Sequence, residues 1–170
     1  MNNILIIGGA GYIGSHVVLE FCEQIENVFV FDNLSTGDLK NIDSRTDFIK
    51  GSILNLNELE NAFEISKPCT VIHLAALKAA GESMEQPVNY SRTNIIGSLN
   101  ILETMVKFQV QNIIFSSTAA VYGNPQYLPV DENHPINPIN YYGFTKKSIE
   151  EYIIWYSQLK RIRCSILRYF

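Results

Sequence analysis

Ile4-Leu5-Ile6-Ile7-Gly8-Gly9-Ala10-Gly11-Tyr12-Ile13-Gly14 is the stretch on which the fold turns. Four apolar residues run straight into a glycine cluster, and an apolar helical pattern starts inside that cluster. The reading is a buried strand, a tight turn and a helix whose N-terminus is open to an anion. Gly8 permits the turn, Gly11 lets a pyrophosphate approach the backbone, and Gly14 lets the helix pack on the strand. Asp32 follows eighteen residues after Gly14, at the end of a second apolar run, Val28-Phe29-Val30-Phe31. A carboxylate there accepts hydrogen bonds from a ribose 2′-hydroxyl and repels a 2′-phosphate, which favours NAD over NADP. Glycines alone are weak evidence; a strand before, a helix after and an acid at the end of the next strand make a dinucleotide site.

Working outward, apolar runs alternate with helical stretches along the whole chain. Strands are expected at 3–7, 27–31, 47–50, 70–74, 111–117 and 163–169, and helices at about 12–24, 55–66, 88–108 and 143–160. Runs too apolar to have a wet face, alternating with helices, predict an α/β fold: a Rossmann-like, doubly wound parallel sheet with helices on both faces. The segment 122–142 carries Pro125, Pro129, Pro135 and Pro138 and reads as a long ordered loop, more often functional than a mere connector.

Composition narrows the function. A chain of 170 residues fits one domain, with 46% hydrophobic and 18% charged residues. Net charge is −4 and the cations are scattered, which argues against nucleic acid. Cys22, Cys69 and Cys164 are far apart in apolar contexts, as expected of buried thiols in a reducing compartment, and no cluster has metal-ligand spacing. No run reaches the ~20 residues of a membrane span, and the N-terminus enters a strand without a signal peptide, so the expected location is cytoplasmic.

The catalytic candidates sit near the end of the proline-rich segment. Tyr142 and Lys146 lie four residues apart at a helix start, one turn apart on one face. An ammonium beside a phenol favours the phenolate and lowers its pKa. Tyr156 and Lys160 repeat the spacing, but about 21 Å further along the same helix, and read as a solvated pair. Ser116-Ser117-Thr118 ends a strand at the same edge of the sheet. Ser116 suits capping or cofactor contact, whereas Thr118 suits a proton relay to Tyr142. His16 and His73 read as packed residues rather than catalytic ones, and His134 lies in the loop with no evident partner. Lys78, after the fourth strand, is placed to meet a pyrophosphate.

Together these motifs resemble those of the extended short-chain dehydrogenases/reductases. The resemblance lies in Gly8–His16, in Phe31-Asp32-Asn33-Leu34-Ser35-Thr36-Gly37 and in Phe115–Gly123. Leu77-Lys78-Ala79-Ala80-Gly81-Glu82-Ser83 and the closing Leu167-Arg168-Tyr169-Phe170 are most similar to the UDP-glucose 4-epimerase family. The resemblance implies an isomerase of galactose metabolism that uses NAD and moves a hydride at sugar C4 through a 4-keto intermediate. It implies that Tyr12 and Ile13 contact the pyrophosphate and that Asp32, Asn33, Leu34, Ser35, Thr36 and Gly37 contact the adenosine ribose. Ser52 and Ile53 fall at the adenine, and Leu74, Ala75, Ala76, Leu77 and Lys78 line the cofactor, as do Asn94 and Ser116. Tyr142 and Lys146 hold the nicotinamide ribose and carry the acid/base work with Thr118, and Phe170 packs near the nicotinamide. Ala119 and Ala120 stand where the sibling 4,6-dehydratases need an Asp-Glu pair.

Four positions depart from the family pattern: Ile7 for a threonine, Ser52 for an adenine-contacting aspartate, Thr93 for the first of an Asn-Asn pair, and Tyr141 for a proline. Family members are about twice as long. Residues 1–170 are therefore expected to be the NAD-binding Rossmann domain, C-terminally truncated, with the part that binds UDP-glucose or UDP-galactose absent. The alternatives are a catalytically inactive NAD-binding fragment or module, or another nucleotide-sugar epimerase or dehydratase. Helices 88–108 and 143–160 are the expected surface for a homodimer.

Overall fold

The structure, a computed structural model, describes residues 3–24 and 27–170. β1 (Ile4–Ile7) is buried along its whole length, because its side chains alternate between two cores. Leu5 and Ile7 join Phe31, Phe63, Ile101, Phe115 and Ile149 on one face of the sheet, while Ile4 and Ile6 join Val18, Val28, Val30 and Ile72 on the other. This two-sided burial is why the run is apolar at every position.

The sheet has six parallel strands: β1, β2 (Val28–Asp32), β3 (Asp47–Lys50), β4 (Thr70–His73), β5 (Asn112–Thr118) and β6 (Arg163–Tyr169). Their spatial order is β3-β2-β1-β4-β5-β6, the doubly wound order in which connections leave β1 and β4 in opposite directions. The crevice at that switch point lies beyond Ile7 and His73, which are register partners. All six strands fall within a residue or two of their expected positions.

The helices are α1 (Tyr12–Gln24), α2 (Leu56–Ser66), α3 (Ala80–Glu85), α4 (Pro87–Tyr90), α5 (Gly97–Lys107) and α6 (Tyr141–Lys160). Four of these, α3 to α6, differ from the sequence reading. α3 was not anticipated; it is six residues long with no side-chain cap. The single helix expected over 88–108 is instead α4 and α5 joined by a π-helical turn, Ser91–Ile96. Such turns insert an extra residue and re-aim side chains, and this one contains Asn94. α6 begins two residues earlier than expected because Asn140 caps it, its side chain accepting the Gly143 N–H at 2.8 Å.

Among the described residues no helix is long and apolar enough to cross a membrane. The three cysteines are free, but Cys69 is exposed, not buried as its context suggested. His16 is likewise exposed, edge-on to Tyr12.

Candidate functional site

Backbone hydrogen bonds build the glycine turn at the end of β1. The Gly8 N–H bonds the Phe31 carbonyl at 2.8 Å, and the Leu74 and Ala75 N–H groups both reach the Ile7 carbonyl, at 2.8 and 3.0 Å. Ile7 itself is fully buried, so the turn holds without a hydroxyl at that position. Gly8 has φ +88°, and a Cβ on it would lie 2.5 Å from the Ala75 nitrogen. Gly11 is different: a Cβ there would meet nothing closer than the Gly8 oxygen at 3.5 Å. Gly8 is thus required by packing, while Gly11 leaves open space at the start of a thirteen-residue helix, as a docking phosphate needs. Tyr12 and Ile13 are exposed beside it. This combination fits a dinucleotide pyrophosphate.

Asp32 has a structural duty the sequence did not reveal. Its carboxylate accepts the Ala10 N–H at 3.0 Å and the Leu34 N–H at 2.8 Å, joining the glycine turn to the loop after β2. Asn33 shapes the same loop by accepting the Ser35 N–H at 2.9 Å, and Leu34 takes a left-handed conformation (φ 61°). Gly37 lies so close to Ala10 that a Cβ would come within 2.8 Å of it. Residues 33–37 are therefore folded against the glycine turn, beside the end of β2. Ser52 is engaged locally: its hydroxyl accepts the Leu54 N–H at 3.3 Å and its own N–H goes to Glu58 at 2.8 Å. Ile53 belongs mainly to the core, 7% exposed and packed against Gly97.

The loop after β4, residues 74–78, is half-buried up to Leu77 and exposed at Lys78. Asn94 pins it. The buried amide accepts the Leu77 N–H at 2.8 Å and donates to the Leu77 carbonyl at 3.0 Å and to the Thr145 hydroxyl at 3.1 Å. Asn94 has no exposed surface, and its bonds position the loop after β4. The π turn delivers this amide, a feature invisible to helical periodicity.

At the end of β5, Thr118 accepts the Ala120 N–H at 3.2 Å, so Thr118, rather than Ser116, caps the strand end. Tyr142 lies in the first turn of α6, with its N–H held by the Ser83 hydroxyl at 2.9 Å and its carbonyl by Thr145 at 2.7 Å. Burial raises the Tyr142 phenol above its ordinary pKa, and the nearby Thr118 hydroxyl acts in the opposite direction. Tyr142 and Thr118 are thus brought together as expected.

Lys146 is buried; its Nζ donates to the Ser116 carbonyl at 2.7 Å and lies 4.7 Å from the centre of the Phe115 ring. Burial pushes its ammonium down to about 7, partly opposed by the Glu150 carboxylate. The expected lowering of the phenol by this ammonium is not found. The charge is anchored at Ser116, and desolvation dominates both groups. Phe170 is highly exposed and stacks on Tyr122 with ring centres 6.3 Å apart.

Two further histidines are resolved in role. His134 is buried at the centre of the proline-rich loop, accepting the Gln126 N–H at 2.9 Å and contacting the Pro135 carbonyl at 2.9 Å through Nδ1. His73 is buried as expected, with Nε2 2.7 Å from the Ser98 hydroxyl, but its Nδ1 has no partner. Among the described residues, no group of three or more His, Cys, Asp or Glu side chains could hold a metal ion.

Comparison with known proteins agrees with this geometry. The family model described as "NAD dependent epimerase/dehydratase family" matches residues 4–170. A putative UDP-glucose 4-epimerase of Methanocaldococcus jannaschii is 44% identical over 167 residues, covering 98% of this chain and 54% of that protein. The crystal structure of UDP-glucose 4-epimerase from Brucella ovis in complex with NAD superposes with a TM-score of 0.97 at 41% identity, over 100% of this chain and 52% of the other. The Thermotoga maritima UDP-glucose 4-epimerase with UDP-glucose gives a TM-score of 0.94 at 40% identity, over 98% and 55%. The chain spans about half the length of the relatives it matches.

Proposed function

We propose, because the chain belongs to the NAD dependent epimerase/dehydratase family, that residues 1–170 form the NAD-binding domain of a UDP-glucose 4-epimerase. The observation that carries this reading is convergence at one edge of the sheet. The glycine turn, the Asp32 carboxylate, the Asn94-pinned loop and the Thr118–Tyr142 pair all sit at the carboxyl ends of β1, β2, β4 and β5.

Gly11, Tyr12 and Ile13 would hold the pyrophosphate on the turn that Gly8 and Gly14 allow to pack, and Asp32 through Gly37 the adenosine ribose. Leu74 through Lys78 would line the middle of the cofactor. NAD, when bound, supplies the hydride acceptor and donor for sugar C4. Tyr142 takes the proton of the sugar 4-hydroxyl and later returns it, and Thr118 passes that proton between sugar and phenol. Because burial keeps the free phenol protonated, Tyr142 needs a favouring charge to act as a base. Lys146, one turn along α6, is the residue to supply it and to hold the nicotinamide ribose. Substrate-binding residues would come from a region matching the half of the relatives that this chain does not cover.

The same reading places the protein in galactose metabolism in the cytoplasm, for which the three free thiols are the supporting observation. Exposed Ile154, Trp155 and Leu159 on α6 support pairing with a second copy through α5 and α6.

The test is a titration of the chain with NAD and NADP, read by calorimetry and thermal shift. The expected result is saturable binding of NAD, tighter than NADP and lost in Asp32→Ala. A folded chain that binds neither refutes the proposal. Where NAD binds, conversion of UDP-galactose is expected to depend on Tyr142, so that Tyr142→Phe binds NAD and turns over no sugar.

A further inference from the structure

Tyr142, Lys146 and Glu150 recur every four residues on α6, so all three lie on the face packed against the sheet. Lys146 and Glu150 are 2% and 3% exposed, an ammonium and a carboxylate taken out of water together. Glu150 is held by two residues through three hydrogen bonds. The Ser117 hydroxyl of β5 donates to its Oε1. Arg168 of β6 grips both oxygens, Nε to Oε1 at 3.0 Å and Nη2 to Oε2 at 2.7 Å. The same guanidinium donates from Nη1 to the Tyr122 hydroxyl at 2.9 Å and lies 5.0 Å over its ring. One carboxylate therefore ties α6 to two strands and to the start of the proline-rich segment.

We propose that Glu150 is a positioning residue for Lys146: clamped by Ser117 and Arg168, its fixed negative charge keeps the Lys146 side chain charged at the Ser116 carbonyl. The inference rests on the reading that Lys146 serves the cofactor site. The groups facing Lys146 are few. β4 offers His73, neutral and repelled by it; β5 offers the Phe115 ring and the Ser116 carbonyl; α6 offers the neutral Tyr142 phenol and Glu150. Arg168 of β6 is reached through Glu150. Among these only Glu150 is an anion. Burial favours the neutral amine and Glu150 opposes it, so loss of that carboxylate would shift Lys146 further toward the neutral form. A neutral amine could neither stabilise a phenolate nor make a charge-assisted bond to a ribose hydroxyl.

A purely structural clamp predicts the opposite sign. Loosening α6 would admit water and move Lys146 up toward its ordinary 10.5, whereas loss of the charge moves it down. The experiment is an NMR titration of the chain labelled with 13C at lysine Cε, with Lys146 assigned from Lys146→Gln. The variants are Glu150→Gln, which leaves Arg168 unpaired, and Glu150→Gln/Arg168→Gln, which removes both charges and can still hydrogen-bond. The double variant decides, and it does so even where Glu150→Gln alone fails to fold. A fall of the Lys146 midpoint by about one pH unit or more in the double variant is expected. An unchanged or raised midpoint there overturns the proposal, including the case in which only Glu150→Gln falls, since bare Arg168 would then be the cause. NAD titration of the same samples is a separate readout: failure of NAD to bind the unaltered chain overturns the cofactor reading, while the Lys146 midpoints still judge Glu150.

Discussion

His73 offers a quantitative test of the core beneath the site. It sits on β4 at 1% exposure, between the Ser98 hydroxyl and the Phe115 ring, with Nδ1 unpartnered and Lys146 close enough to repel a proton. Burial first, and Lys146 second, push its pKa from 6.5 down to about 3. Between those values the unfolded chain binds a proton that the folded chain refuses. Stability from this residue is therefore fully present above pH 6.5, falls as pH drops toward 3, and is constant below that. The slope is about 1.4 kcal/mol per pH unit, so roughly 2 kcal/mol should be gone by pH 5. His73→Gln can keep the contact with Ser98 and does not titrate. It is expected to cost stability at pH 7 and to lose less on acidification, the gap to the unaltered chain narrowing by about 2 kcal/mol between pH 7 and pH 5. Urea denaturation across that range measures the gap. A gap that stays constant, or a His73 titration observed by NMR near 6.5, would show that the ring is hydrated and the reasoning wrong.

Two other substitutions probe the backbone of the site. Gly8→Ala combines an unfavourable positive φ with a Cβ 2.5 Å from the Ala75 nitrogen, and is expected to cost more than about 2 kcal/mol in thermal or urea melts; a cost below half of that would mean that the turn relaxes freely. Asn94→Ala strands the Leu77 N–H and removes three hydrogen bonds, one of them buried, for an expected loss of roughly 2–4 kcal/mol together with weaker NAD binding, and unaltered affinity in calorimetry would show that the 74–78 loop is held by something else.

What the sequence disclosed and what it hid divide along the range of the interactions. β1, its glycines and Asp32 were legible because strand, turn and acid are each written in adjacent residues, and the apolar runs gave all six strands. α3 was missed because six residues without a cap carry no periodic signal. The start of α6 was misplaced because its cap, Asn140, stands in a proline-rich segment that reads as loop. Asn94 was noted as a site residue, but its hold on Leu77 was not foreseen, since the π turn that aims it there has no local signature. Glu150 was passed over entirely. Its partners are 33 residues before it and 18 after it, so only the parallel pairing of β5 with β6 brings them together.

That division has a consequence for how the site works. Of the residues that read directly from sequence and would touch ligand, Tyr142 is not held by its own neighbours alone. Tyr142 is set by Ser83 and Thr145; Thr145 is set by Asn94; Asn94 also sets Leu77. A single hydrogen-bonded chain thus runs from α3 through the start of α6 and the π turn to the loop after β4. The phenol and the loop after β4 share their supports, so a change at Asn94 or Thr145 should disturb both sides of the crevice together. Each of these links is worth only about 1 kcal/mol. Their value lies in geometry: they fix the crevice beyond β1 and β4 and the phenol beside β5 as one unit, the kind of preorganisation on which accurately placed reacting groups depend.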